Sequence, residues 1–430
     1  MTKFVSIHAA VNTLSASSKN NKPIQNQNEE HLETTIEKRR SFTQLQISLA
    51  FFSFILIGAN DGAFGVLIPG IRTHYGIDKA TVGLLFLMQT VGYLIAAFNT
   101  GLLVEKLGNR RFLILGVVCF LLGAGALSLM LPFDVVLVTM LLLGFGVAII
   151  DAGLNAYIAA MPRNAALLNY LHAFYGGGAL LGPLVASTIL AIRWGWNSVY
   201  FVWMAMSLIL LIGFRLIFQK DKNIPRLEDV VQREGNILIT TLKLPIVWIT
   251  AFFLLVYVGA EVSIGSWVYS LLTEERHNSI LYSGWLVSGY WTGLTLGRVA
   301  LARVALRLGN MRLVQCCLVG AIIGALIFWL APLYPVSAFG LCLIGFSFGP
   351  IYPITISFLS NKVSHRVLPG AVGFLASLGS IGGAMFPWLE GVLAQRVGLW
   401  SLMPLVILLT IAMICLWQLL QFRSNSAGVS

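Results

Sequence analysis

The chain is written in apolar blocks, each about the length, ~20 residues, that crosses a bilayer as a helix. From Ile47 onward, runs of Leu, Ile, Val, Phe, Ala and Gly follow one another with short polar breaks. The apolar residues fill whole blocks and do not mark one stripe per helix. Hydrophobic residues make up 57% of the 430 and charged residues 10%, against about 25% charged in soluble domains. Mean hydropathy is +0.84. Water is therefore not the main solvent, and the fold class expected is an all-α membrane protein.

Twelve spans are predicted, near 46–69, 80–104, 112–131, 134–158, 166–190, 198–218, 245–272, 281–303, 313–331, 336–358, 368–392 and 399–421. Residues 1–45 are polar, rich in Asn, Ser, Lys and Glu, and read as a disordered cytoplasmic tail. They do not read as a signal peptide, because the apolar core starts too late. Residues 46–218 form a predicted N-terminal six-helix bundle and 245–421 a C-terminal one. The linker 219–244 carries nine charges between Gln219 and Lys243, and 422–430 is a second short tail. Counted from Lys38 onward, and leaving out Arg215 within the sixth span, nineteen Lys and Arg fall on the side of the tail and even-numbered loops, and five on the other: Arg72, Lys79, Arg193, Arg276 and Arg396. That bias predicts both termini in the cytoplasm of a plasma (cell inner) membrane protein. It also explains the net charge of +11 without nucleic acid.

Shifted by 201 residues, the chain meets itself. Leu107-Gly108-Asn109 falls on Leu308-Gly309-Asn310, Gly92 on Gly293, and Gly144-Phe145 on Gly345-Phe346. One offset across spans two to four and eight to ten marks two related halves. Such duplicated bundles are a transporter architecture with the solute site between the halves. The glycines Gly176, Gly177, Gly178 and Gly182 read as helix packing, since no Gly-Lys-Ser/Thr ending makes them a phosphate loop. The five cysteines form no Cys-x-x-Cys pair, so no metal or other cofactor is expected. No His-rich or Ser-His-Asp arrangement points to an enzyme. The partners expected are a small-molecule solute, protons and the lipid around a monomer.

Three acids lie well inside a span: Asp61, Asp151 and Glu261. A charge at that depth costs about 2.5–3.5 kcal/mol on insertion scales, which makes such residues functional candidates. A low dielectric favours the neutral form of a carboxyl in general, so it can load and release a proton. Asp61 falls beside Glu261 under the repeat, which sets the two facing each other in spans one and seven. Asp151 and Asn155, four apart, share a helix face. Gln89 and Tyr93 share a face of span two. Tyr290 repeats Gln89, Trp291 adjoins it, and Tyr352 repeats Asp151. Rings with polar tips suit sugars, and aromatics are also ordinary membrane packing. Glu390 lies near the outer end of span eleven, where Arg396 is available to pair with it.

The loop Gly101-Leu-Leu-Val-Glu105-Lys106-Leu-Gly108-Asn-Arg110-Arg111 resembles the loop signature of the major facilitator superfamily, with Glu105 in place of the usual Asp. The resemblance implies a cytoplasmic gating latch. The stretch from Arg303 to Arg312 is a weaker copy, and Arg298 is grouped with these gating charges. A narrower resemblance is to the fucose–proton symporter branch. It rests on Asn60-Asp61, Asp151-Ala-Gly-Leu-Asn155, Leu168-Asn169-Tyr-Leu-His172-Ala-Phe174 and Tyr257-Val-Gly-Ala-Glu261. The sequence departs from that branch in having Asp151 for Glu and His172 for Gln, and in the spacing of Pro69 from Asp61.

The resemblance implies twelve helices in two pseudo-symmetric bundles and proton-coupled symport of a sugar or glycoside. Asp61, Asp151 and Glu261 would carry the coupling. Asn60, Gln89, Tyr93, Asn155, Asn169, His172, Tyr257, Tyr290, Trp291 and Tyr352 are the candidate solute contacts. A proton-driven exporter of a lipophilic compound or sugar product uses the same acids with opposite flux. A transport-dead sensor is the other alternative.

Overall fold

The computed structural model describes residues 22–161, 164–218, 240–331, 334–364 and 366–426, and among them every regular element is a helix. The chain falls into two units, divided between Ser48 and Leu49. In the first, backbone helix begins at Lys22, where a disordered tail to residue 45 was expected. The stretch is rich in Glu, Gln and Lys, which favour helix over coil in the absence of packing. Residues 1–21 and most of the predicted linker, 219–239, lie outside the described residues.

The helices are α1 (Lys22–Tyr75), α2 (Leu84–Ser128), α3 (Phe133–Ala159), α4 (Asn164–Ala191), α5 (Ser198–Ile217), α6 (Pro245–Ser270), α7 (Ile280–Leu308), α8 (Asn310–Leu330), α9 (Tyr334–Phe348), α10 (Ile351–Ser360), α11 (Leu368–Val397) and α12 (Leu402–Ser426). A single turn, Lys79–Val82, precedes α2.

Among the described residues, ten helices are long and apolar enough to cross a membrane. Two facts reconcile ten with twelve. Lys79–Ser128 holds two predicted spans, and the backbone breaks between them at Gly108, with φ 71° and ψ 158°. Helix α7, the predicted eighth span, is diluted by Ser, Gly, Tyr, Trp and Thr. The tenth predicted span is built from α9 and α10, interrupted at Gly349 and Pro350.

The repeat is physical as well as textual. Gly309 takes φ 81° at the position equivalent to Gly108, a left-handed backbone that glycine adopts at no steric cost. Gly92 sits against the backbone of Leu141, and its equivalent Gly293 against that of Cys342. Gly144 sits against Gln89, and Gly345 against Tyr290. The same two seats therefore hold spans two and four together in one half and eight and ten in the other. Gly58, Gly62, Gly178 and Gly182 seat α1 on α4, and Gly382 seats α11 on Leu255 of α6. Between halves, α4 packs on α7, where Ser288 Oγ donates to the Leu180 carbonyl at 2.9 Å. Gly65 of α1 meets the backbone of Gly265 and Ser266 in α6.

A methyl group has no room at these seats, whereas nothing lies within 4 Å of a Cβ built on Gly177. Overpacking of this kind costs about 1–3 kcal/mol. Gly144→Ala is expected to lower the thermal unfolding temperature of the detergent-solubilised protein by several degrees, with Gly177→Ala unchanged. Equal unfolding temperatures would contradict the seat assignment.

Candidate functional site

Two of the three predicted acids are held by neutral donors. Asp61, on α1, accepts from Tyr175 Oη on α4 at 3.0 Å and from Asn60 Nδ2 at 3.3 Å. The Gln89 side chain is also within hydrogen-bonding reach. Asp151, on α3, accepts from Tyr93 Oη at 3.1 Å and from Asn155 Nδ2 at 2.8 Å. Asn155 also donates to the Asp151 carbonyl at 3.0 Å, so the shared face expected from i, i+4 spacing is present. His172 of α4 lies within electrostatic reach of Asp151. Asp61 and Asp151 are within reach of each other, and both are only partly buried.

Glu261 is different. Arg298 Nη2 lies 3.5 Å from Glu261 Oε1, and Arg298 Nε donates to the Gly349 carbonyl at 3.2 Å. Arg298 is grouped with the gating charges in the sequence reading, and the structure adds that it is the cation paired with this buried acid. The signal was available, because the predicted span 281–303 already placed Arg298 inside the apolar region. A lone arginine at that depth calls for an acid partner. The ion pair sets Glu261 apart from Asp61, whose donors are a phenol and an amide. Tyr175, which the sequence reading missed, links them: it donates to Asp61 and lies within electrostatic reach of Glu261 and Arg298. It shares a face of α4 with His172, three residues earlier.

Of the aromatic candidates, Tyr257 and Tyr290 are fully buried. Tyr257 Oη donates to the Phe348 carbonyl and Tyr290 Oη to the Glu261 carbonyl, each at 3.0 Å. These hydroxyls brace the second half. Trp291 packs on Gly265, and its buried Nε1 has no hydrogen-bond partner. Tyr352 is partly buried, 6.4 Å from the Tyr257 ring and within electrostatic reach of Asp151 and Glu261. Asn169 and His172 are exposed, and the His172 ring stands edge-on to Phe54 at 5.8 Å.

In the gating loop, Glu105, Lys106, Arg111 and Arg303 are exposed, and Gly101 and Gly108 are half-buried. Arg110 Nη2 donates to the Arg215 carbonyl at 2.5 Å. That carbonyl belongs to the last turn of α5, whose free acceptors and dipole favour a cation, so this arginine acts within the first half.

The opposite end carries contacts between the halves. Arg72 Nη1 lies 2.9 Å and 3.1 Å from the two carboxylate oxygens of Glu274, and Lys79 Nζ lies 3.5 Å from Glu274 Oε2. The Lys79 N–H donates to Gln395 Oε1 at 3.1 Å. Along α1, Phe64, Val66, Leu67, Ile68 and Ile71 are all buried. A crevice of about 460 Å³ lies between α4, α7 and α9, lined by Leu180, Trp285, Thr292, Phe339 and Phe346 and by none of the acids.

Taken together, the donors to Asp61 and Asp151 are neutral phenol and amide groups, which can hydrogen-bond a carboxyl in either protonation state.

Residues 50–387 and 252–429 match the Major Facilitator Superfamily. The chain is 26% identical to Bypass of stop codon protein 6 of Saccharomyces cerevisiae, covering 87% of this chain and 82% of that protein. It is 24% identical to the glucose/mannose transporter GlcP of Bacillus subtilis, covering 83% and 88%. Among solved structures it superposes on a mutant form of the nucleoside transporter NupG with TM-score 0.73 and 13% identity, covering 88% and 99%. On the E. coli fucose:proton symporter FucP the TM-score is 0.59 at 16% identity, covering 87% and 98%. With its helices, repeat and sequence matched over most of its length, the chain belongs to the Major Facilitator Superfamily of membrane transporters.

Proposed function

We propose that the protein is a proton-coupled symporter of a sugar or glycoside, working by alternating access between its two six-helix halves. The observation that carries this reading is the pairing of Asp61 and Asp151 with neutral phenol and amide donors. A carboxyl so held keeps hydrogen bonds in either protonation state, and a hydroxyl-rich solute offers the same chemistry. A lipophilic solute does not use such a lining. The relative named as a glucose/mannose transporter supports the solute class. The contacts between Arg72, Lys79 and Glu274 close one end, while Asn169 and His172 are exposed toward the other. We orient the closed end outward, with both termini in the cytoplasm of the plasma membrane, on the strength of the Lys and Arg bias. The working unit in this reading is the monomer.

In this mechanism Asp61 and Asp151 carry the proton, and Asn60, Gln89, Tyr93, Asn155, Asn169, His172, Trp291 and Tyr352 meet the solute. Tyr257 and Tyr290 hold the frame. Glu261, fixed by Arg298, stays charged and contributes a rigid wall to the second half. Protonation neutralises the first-half acids, which lowers the cost of closing the site around the solute.

Each unit of pH difference stores about 1.4 kcal/mol, so one-proton symport accumulates solute ~tenfold per unit. Uptake of a panel of labelled sugars into proteoliposomes is expected to follow an imposed proton gradient. Asp61→Asn should abolish accumulation while leaving solute exchange at equal concentrations. Uptake that ignores the gradient, or a fully coupled Asp61→Asn variant, overturns the proposal.

The ion pair makes a separate prediction. Removing one partner of a buried pair costs about 3–5 kcal/mol because the other charge is stranded. Arg298, a third exposed, belongs at the lower end of that range. Arg298→Met is expected to destabilise the protein in thermal unfolding, and Arg298→Met combined with Glu261→Gln to recover most of the loss. A double variant no more stable than the single one would rule out the pairing role.

A further inference from the structure

The crevice between α4, α7 and α9 has no task in the mechanism above. Its floor is one face of α7. Trp285, Gly289, Thr292 and Leu296 all line it and recur at the spacing that shares one side of a helix. Tyr290, Trp291 and Arg298 leave α7 from the other side, toward Glu261 and Gly265 of α6. The crevice therefore faces away from the acids. Trp285, Leu296 and Phe339 stand at its rim, each more than half exposed, and the medium at this depth is hydrocarbon. Gly289 leaves room in the floor, since a Cβ there would approach only Cys342 Sγ.

The lining selects an apolar guest. Its two hydroxyls are already engaged with backbone carbonyls. Ser288 Oγ donates to Leu180 at 2.9 Å, and Thr292 Oγ1 donates to Ser288 at 2.7 Å. A sugar would strand its own hydroxyls here. Length narrows the choice further. Trp285 and Leu296 are about 16 Å apart along α7 at ~1.5 Å per residue, which is half of a hydrocarbon core of ~30 Å. Trp285 lies in the second turn of α7, and an exposed indole there marks the level of the lipid headgroups. The crevice thus runs from headgroup level to about the midplane, the reach of one acyl chain in one leaflet. That leaflet is the one at the Arg72–Glu274 end, because α7 begins shortly after Glu274.

Position supplies the consequence. The Ser288–Leu180 bond crosses from the second half to the first, and Gly284 against Ser187 and Gly176 against Thr295 continue the same seam. Leu180 and Leu184 line the crevice from α4, and Phe339 and Phe346 line it from α9. A chain lying between them touches both halves at once. We propose that this crevice binds one acyl chain of a phospholipid, and that the chain braces the halves in the arrangement closed at the Arg72–Glu274 end. A guest that fits this arrangement better than one with the seam parted raises its population. Which solute the central site carries does not enter, so failure of sugar symport leaves the crevice untouched, and the reverse.

Two measurements test the site and the brace. In proteoliposomes containing phosphatidylcholine with a diazirine in one acyl chain, photolabelling is mapped by peptide mass spectrometry. Labelling at the half-buried Thr292 and Phe346 is expected to exceed severalfold that at Ile209 of α5 and Ile323 of α8, which are more exposed. Thr292→Phe should fill the crevice and remove the excess at Phe346, with Ile209 and Ile323 unchanged. Ile71, fully buried at the closed end, reports on the brace. Delipidated Ile71→Cys protein in a steroid detergent, which has no acyl chain, is treated with maleimide. Labelling at that cysteine should fall severalfold when phosphatidylcholine is added, and adding Thr292→Phe should abolish the response to lipid. Photolabelling of the unaltered chain that is no higher in the crevice than at Ile209 and Ile323 means bulk lipid only and sinks the proposal. Cysteine labelling that ignores phosphatidylcholine, or a response that survives Thr292→Phe, overturns the brace.

Discussion

Hydrocarbon offers a peptide group nothing to bond to, so each segment at membrane depth must satisfy its own backbone. Helices meet that demand one by one, but they still have to be joined. Between helices lipid is as apolar as leucine, so association depends on close van der Waals contact. In this chain the contact is made at glycines. Gly92 and Gly144 let α2 and α3 approach backbone to backbone, and Gly293 and Gly345 do the same for α7 and α9. Because the two sets are related by one sequence offset, each half is held by the same fastening. What remains between the halves, along α4 and α7 and along α1 and α6, is a separate set of contacts, which part on the proposed mechanism.

The same solvent sets the terms for every charge. A carboxyl at depth must find donors, and the kind of donor decides what it can do. Asp61 and Asp151 have phenols and amides, which serve the charged and the neutral form alike. Glu261 has a guanidinium as well as the Tyr257 phenol within reach, and the guanidinium serves only the charged form. On the proposed mechanism these two environments divide the work: two acids exchange protons with the solute site, and one stays ionised. The division falls unevenly on the halves, so a symmetric frame carries asymmetric chemistry.

Much of this was legible in advance. Block length announced the spans, and the offset of 201 residues announced the two halves. The three acids stood out because charge is rare at that depth, and Asp151 and Asn155 could be placed on one face by spacing alone. Tyr175 was not legible. Its ring is one of many aromatics, and its partner Asp61 is 114 residues away. The pairing of Arg298 with Glu261 was not plain either, because a basic residue near a span end also looks like a topology marker. The hydroxyls of Tyr257 and Tyr290 looked available to solute until their partners proved to be backbone carbonyls.

The sequence by itself determined the solvent, the number of spans, the duplication and the identity of the acids, because each of these is a property of local composition and period. The tertiary structure alone decided which donor each acid receives and which end of the molecule is sealed. Those depend on side chains brought together across helices, as Glu261 is to Arg298 and Lys79 to Gln395. No local pattern encodes such pairs. They exist because packing brings particular faces of separate helices within hydrogen-bonding distance.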